Sequence, residues 1–303
     1  MRFLVILLLL IYMAEQAGGW QNFFLIMTIA LIAVFYIQFK GVGSPRPSIS
    51  PPNHPTSRKA SREELKMEPV STRTFKNSSE MTSPGEFVQL VDPTLHNRSG
   101  SVFYSGRGAF RQPSNIYILG LNPGGSPVGQ AKETISADLI EWNKLPERWS
   151  AYADESWMGR PPGKCGLQPR VLHLFNKLGL DPRDVPASNV VFVRSTTEAS
   201  LSVEKRSLLA ACWPVHERVI ASLGVRTIVC LGTTAGAWVR EAVSANVLFD
   251  EFRETNNRGW RSQAHRNLKG LQVLTLTHPS RADWTNVEAD PSPMVRRAIS
   301  SRG

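Results

Sequence analysis

Two short loops far apart in the chain constrain its fold more than any other feature. The run Ile116-Tyr117-Ile118-Leu119 leads directly into Gly120-Leu121-Asn122-Pro123-Gly124-Gly125. The run Leu271-Gln272-Val273-Leu274-Thr275-Leu276 leads into Thr277-His278-Pro279-Ser280. Each reads as a buried strand ending in a turn shaped by Pro or Gly, and each turn carries one polar side chain with catalytic potential. Open α/β sheets bind ligands at the carboxyl ends of their strands. An Asn and a His delivered to that edge can form one site despite about 150 intervening residues.

The rest of the C-terminal two-thirds fits that picture. Further strand-like runs occur at Val190–Val193 and Thr227–Leu231. Helical patterns lie between them: Leu167–Leu178 closed by Gly179, Leu201–Leu223 closed by Gly224, and Thr233–Val243, whose first hydroxyl residues suit N-capping. Strands alternating with helices predict an α/β fold with a mostly parallel central sheet and helices on both faces. The sequence carries no internal repeat.

The N-terminal region is of a different kind. Trp20 to Phe39 is a near-continuous apolar run of about 20 residues ending at Lys40, long enough to cross a bilayer and bordered by aromatics. Phe3 to Ala14 is a second apolar run of only about 12 residues. The expected arrangement is a two-span hairpin with Glu15–Gly19 as its loop; a single anchor with a signal-like leader is the alternative. Arg2, Lys40 and Arg46 flank the spans and the loop lacks Lys and Arg, which puts both termini in the cytoplasm. Residues 41–84 are rich in Ser, Pro and basic side chains, as in Ser44-Pro45-Arg46-Pro47, and read as a disordered tether. Three regions follow: a membrane hairpin over 1–40, the tether over 41–84, and a globular domain over 85–303. The expected location is the cytoplasmic membrane, with the globular domain facing the cytoplasm and residues 1–40 contacting the bilayer.

The formal charge of +10 suits a polyanionic partner, either nucleic acid or an anionic membrane surface, although a merely solvated basic surface is equally compatible. About half of the excess lies between Lys40 and Arg111, on the tether side. The three cysteines, Cys165, Cys212 and Cys230, form no CxxC pair; their number argues for a reducing compartment and cannot supply a four-thiolate metal site.

The loop at Gly120–Gly125 is neither a P-loop nor a GxGxxG turn, so it is not a standard phosphate cradle. His278 on its own is as readily a strand-end capping residue as a catalyst. Trp142, Trp149 and Trp157 can stack on a base, but each fits packing as well. His173 and His216 lie in helical patterns without a chemical signal.

The order of motifs is more specific than any one of them. Tyr104-Ser105-Gly106-Arg107 leads into Gly120-Leu121-Asn122-Pro123-Gly124; Ser188-Asn189-Val190-Val191-Phe192-Val193 and Cys230-Leu231-Gly232-Thr233 follow, and Thr277-His278-Pro279-Ser280 comes last. Over about residues 100–290 the chain resembles the uracil-DNA glycosylase superfamily, in particular bacterial members with a Gly-Leu-Asn-Pro-Gly motif. The resemblance implies a three-layer α/β/α sandwich, preceded here by one or two transmembrane helices. It implies a hydrolase of N-glycosidic bonds that acts on uracil or another modified base in DNA without metal or cofactor. Asn122 then positions water and His278 stabilises the departing base. Gly120, Leu121, Pro123, Gly124, Asn189 and Ser280 form the base site, and Asn189 reads the base edge. Arg107 and Arg281 are the candidate DNA contacts.

Two departures qualify this. The four cysteines of the iron–sulfur branches are missing. Arg281-Ala282-Asp283-Trp284 also replaces the apolar wedge that many relatives carry after the second motif, which favours single-stranded or mismatched DNA, where extrusion costs less. A carboxamide orients water but takes no proton, so a carboxylate at position 122 is expected to retain or raise activity. A sensing module of low turnover, coupled to the membrane and directed at foreign DNA, is the alternative to an enzyme.

Overall fold

A computed structural model describes residues 83–301. The spans, the tether and the membrane contact expected over residues 1–82 lie outside the described residues. Among the described residues no helix is long and apolar enough to cross a membrane.

Six strands form one mixed sheet: β1 (Ile116–Gly120), β2 (Ala187–Asn189), β3 (Thr227–Leu231), β4 (Val247–Arg253), β5 (Arg261–Arg266) and β6 (Gln272–Leu276), in the spatial order β2-β1-β3-β6-β5-β4. The first four in that order run parallel, and β5 and β4 close the sheet with antiparallel pairings. Among the described residues there are seven α-helices: α1 (Pro84–Gln89), α2 (Ile135–Trp142), α3 (Gln168–Leu178), α4 (Glu198–Val203), α5 (Lys205–Leu223), α6 (Thr233–Val243) and α7 (Ser292–Ser300).

Why the sheet lies between helices follows from the strand pleat. Successive side chains point to opposite faces, so a fully apolar strand needs cover on both. Tyr117, Leu119, Ile228, Cys230 and Val273 pack with α1, α2, α5 and α6 through Phe87, Leu139, Leu208, Val219 and Trp238. Ile116, Ile118, Val229, Leu231, Leu274 and Leu276 pack on the other face with α3 and α7 through Leu174, Phe175, Met294 and Val295, together with Trp284. Each such buried side chain contributes about 1.5–3 kcal/mol relative to exposure. The result is a three-layer α/β/α arrangement.

Most sequence expectations hold, with local departures. The run Val190–Val193 is buried but is not strand: β2 ends at Asn189, because its partner β1 ends at Gly120 and offers no further ladder. The backbone instead follows the loop after β1, with Val190 N–H donating to Gly120 O (2.8 Å) and Val191 N–H to Leu121 O (3.0 Å). The expected helix Leu201–Leu223 is broken at Glu204, which separates α4 from α5 and pairs with Arg98 at 2.8 Å. Thr233 does not cap α6; its N-cap is Gly232, at φ +120°. Strands β4 and β5 escaped the hydrophobic reading because charged residues interrupt them. Asp250 and Glu251 on β4 pair with Arg297 and Arg261. Charges of this kind on an edge strand discourage further pairing.

One polar chain crosses the core. Tyr117 Oη and His216 Nδ1 lie 2.9 Å apart, and His216 Nε2 is 3.1 Å from Val190 O. The carbonyl can only accept, so Nε2 carries the proton and Nδ1 accepts from the phenol. His216 is fully buried, and desolvation lowers its pKa from 6.5 to about 4, so the ring is neutral in the fold. An unfolded chain therefore binds a proton at this residue between pH 6.5 and 4 that the folded chain does not. We predict that this residue contributes a loss of stability of roughly 3 kcal/mol as pH falls through that window. The melting temperature of His216→Gln should vary less with pH there than that of the parent. An identical pH dependence would assign the effect to other groups.

Candidate active site

The parallel ladder brings the two loops together. β1 and β2 end in register, with Gly120 opposite Asn189, and β3 and β6 end in register, with Leu231 opposite Leu276. The four strand ends thus deliver Asn122, Asn189, Gly232 and His278 to one edge. All four line a single cleft of about 1190 Å³.

Two glycines make room for the polar side chains. A Cβ on Gly120 would stand 2.2 Å from Asn189 Oδ1, so only glycine lets Asn189 lie across the end of β1. Gly232, at φ +120°, would place a Cβ 3.0 Å from His278 Cδ2. Asn189 is 4% exposed; its Nδ2 makes no hydrogen bond of ordinary length among the described residues, and its side chain faces the phenol of Tyr104. A buried amide donor without a partner is costly, and a ligand carbonyl would satisfy it.

The loop after β1 orients Asn122. Its Nδ2 donates to Pro123 O (2.8 Å), Val193 O (3.3 Å) and Ser195 Oγ (3.1 Å). Two of these partners are carbonyls, which require the NH2 group on that side, and Oδ1 is left to accept from a water. A carboxylate here would oppose an oxygen to both carbonyls. This arrangement speaks for the carboxamide at position 122, against the expectation that Asp there would sustain activity. Gly124 O accepts from Arg194, whose guanidinium also holds Glu133 at 2.8 Å and Ser99 Oγ at 3.1 Å. Leu121 and Pro123 are buried and brace the loop.

His278 is oriented from behind. Its Nδ1 lies 3.1 Å from Ser280 N and 2.7 Å from Ser280 Oγ. A backbone N–H can only donate, so Nδ1 is the acceptor and Nε2 carries the proton. Burial lowers the pKa of the ring below the ordinary imidazole value; Glu198 opposes this and Arg281 reinforces it. A neutral imidazole with its proton on Nε2 is a hydrogen-bond donor for an oxygen on which charge accumulates.

Further residues of the cleft carried no clear signal in the sequence. Tyr104 is brought in by the segment Ser99–Ser105, which runs beside β2: Phe103 bridges Ser188, Gly100 bridges Val193, and Tyr104 N–H donates to Ala187 O at 2.8 Å. Burial pushes its phenol up to about 12, so it remains protonated. Asp138 reaches the cleft from the first turn of α2, and Glu155 from the loop before α3. Trp142, Trp149 and Trp157 line the cleft too; Trp142 is buried, with its indole N–H on Ser105 O at 2.8 Å.

The two candidate DNA contacts part ways. Arg281 follows the second loop and is exposed. Neither residue lines the cleft, and the Arg107 guanidinium is taken up within the domain: it caps the end of α2 on Trp142 O (2.9 Å) and Asn143 O (2.5 Å) and pairs with Glu147 (3.1 Å). Those partners lie more than 30 residues onward in the chain, where no local pattern announces them.

No curated protein matches the chain. Residues 108–298, more than half of its length, match the family model described as the uracil DNA glycosylase superfamily. The match spans every strand of the sheet and both loops, and the chain belongs to the uracil DNA glycosylase superfamily.

Proposed function

We propose that this protein hydrolyses the N-glycosidic bond of uracil or another modified base in DNA, with Asn122 and His278 as its catalytic residues. The observation that carries this reading is that backbone groups lock both side chains with one chemically defined face left over: the carbonyl oxygen of Asn122 and the Nε2–H of His278.

Cleavage builds oxocarbenium character on the sugar and leaves the bonding electron pair on the base. Asn122 Oδ1 holds the attacking water by accepting one of its hydrogens. No proton moves to the carboxamide; the water loses it to solvent after attack. The donor face of His278 meets an acceptor on the departing base and stabilises the charge there. Asn189 Nδ2 supplies a second donor to the base edge, and the phenol of Tyr104 closes the same end of the cleft. Arg281 at the rim meets phosphate. Because the site accepts a base outside the stack, single-stranded or mismatched DNA costs least to engage.

The same reading places residues 1–40 in the cytoplasmic membrane, with residues 41–84 as a basic tether and the catalytic domain on the cytoplasmic side. Trp20–Phe39 has the length, the aromatic borders and the flanking Lys40 that a span requires. A tether of this length behaves as a coil with a reach of about 35–40 Å.

Asn122→Ala should lower turnover on the order of hundredfold, the scale of one lost catalytic hydrogen bond, with DNA binding retained. His278→Ala should slow the chemical step more than binding. A variant that loses only melting temperature would make that residue structural. Asn122→Asp should fall well below the parent at neutral pH because of the two facing carbonyls; parental activity would refute the amide orientation. The full-length protein should sediment with membranes and resist alkaline carbonate. Recovery in the soluble fraction would remove the tether from the picture.

A further inference from the structure

The base end of the cleft is negatively charged, although the chain as a whole carries +10. Six carboxylates line the cleft against two cationic side chains, Lys132 and Arg194; two of the six, Glu141 and Asp154, pair with Lys144 and Arg183 outside it. Arg194 is already neutralised by Glu133 at 2.8 Å and spent on Ser99 Oγ and Gly124 O. Asp138, Glu155 and Glu198 make no salt bridge among the described residues, although the charge of Arg194 acts at longer range on Asp138 and Glu155. Asp138 accepts only from uncharged groups, including Val102 N–H at 2.9 Å, and Glu155 accepts from the Trp157 indole at 2.8 Å. Tyr104 and Trp157 add π faces beside these carboxylates, and the buried, unpartnered Nδ2 of Asn189 awaits a carbonyl.

That combination is poorly suited to a base that departs as an anion. Negative charge would build on uracil beside these carboxylates, with only the donors of His278 and Asn189 to offset it. A base that is already a cation behaves differently. Its charge passes from base to sugar as the bond breaks, so the site holds one positive charge from ground state to transition state. Carboxylates and aromatic faces both favour a desolvated cation. At about 1190 Å³ the cleft also exceeds the usual range of small-ligand pockets, about 300–1,000 Å³, and has room for a purine.

Resting on the glycosylase reading above, we infer that the preferred substrate is a ring-N-alkylated, cationic purine in DNA, held by Asp138, Glu155 and the aromatic wall, with its carbonyl on Asn189 where it has one. The C1′–N9 bond breaks with its electron pair going to N9, and the alkylpurine leaves neutral. Water held on Asn122 bonds to C1′ and releases one proton to solvent. The products are an abasic site, a neutral alkylpurine and a proton, and no redox partner or metal is consumed. Burial raises the Asp138 carboxyl to about 6, which leaves it largely ionised at neutral pH.

The test uses the full-length chain in mild detergent. Its substrates are DNA carrying radiolabelled N7-methylguanine and N3-methyladenine, and the same DNA carrying uracil or hypoxanthine, with released free base read by chromatography. Methylpurine release should exceed uracil release by a factor on the order of ten or more, the weight of about one charge interaction. Asp138→Asn and Glu155→Gln should each shift the methylpurine-to-uracil ratio toward uracil by about tenfold. That ratio does not depend on the fraction of folded enzyme. Faster release of uracil or hypoxanthine, or a ratio unmoved in both variants, would overturn the inference and leave the glycosylase reading standing. Release of no base from any of these DNAs would overturn both.

Discussion

The site depends on the in-register parallel pairing of β2, β1, β3 and β6. Parallel strands end on the same side, so every turn after a strand opens at one edge. Pairing of Gly120 with Asn189 and of Leu231 with Leu276 sets the four strand ends level. A slip of one residue in β6 would turn His278 toward the opposite face and exchange the residues buried on each side. The two packed faces, with Tyr117 and Leu119 on one and Ile116 and Ile118 on the other, oppose such a slip by burying a fully apolar strand in one register.

On that edge, backbone groups make the chemical decisions. Two carbonyls choose the face of the Asn122 amide, one amide N–H chooses the tautomer of His278, and the carbonyl of Val190 chooses that of His216. Each choice is made by the protein's own backbone, so these donors and acceptors are fixed by the fold itself. The cost of organisation appears elsewhere. Asn189 keeps an unpaired buried donor, His216 stays neutral in the core, and glycines at 120 and 232 give up side chains to make space.

Charge is divided between two tasks. The basic excess belongs to the outer surface and to residues 40–111, where it suits phosphates or anionic lipid. In the cleft carboxylates outnumber cationic side chains, and Asp138, Glu155 and Glu198 make no salt bridge among the described residues.

Local chemistry made Asn122 and His278 legible in the sequence: an apolar run fixes a buried strand, Pro and Gly fix a turn, and the one polar residue in the turn is exposed at the strand end. The helices Gln168–Leu178 and Thr233–Val243 were legible for the same reason, from periodicity and from glycines that stop or start them. Asn189 was visible only through family likeness, since nothing in a three-residue strand marks it. Arg107 was misread because the carbonyls it caps belong to a helix that is distant in sequence. Tyr104, Asp138 and Glu155 come from a strap, a helix start and a loop without shared spacing, and only the packing of those segments against β2 gathers them around one cleft. The sequence by itself determined which residues could do chemistry and that their strands would end together. The tertiary structure alone decided the sign of the field they work in, because electrostatic potential depends on distances between charges, and those distances exist only after folding.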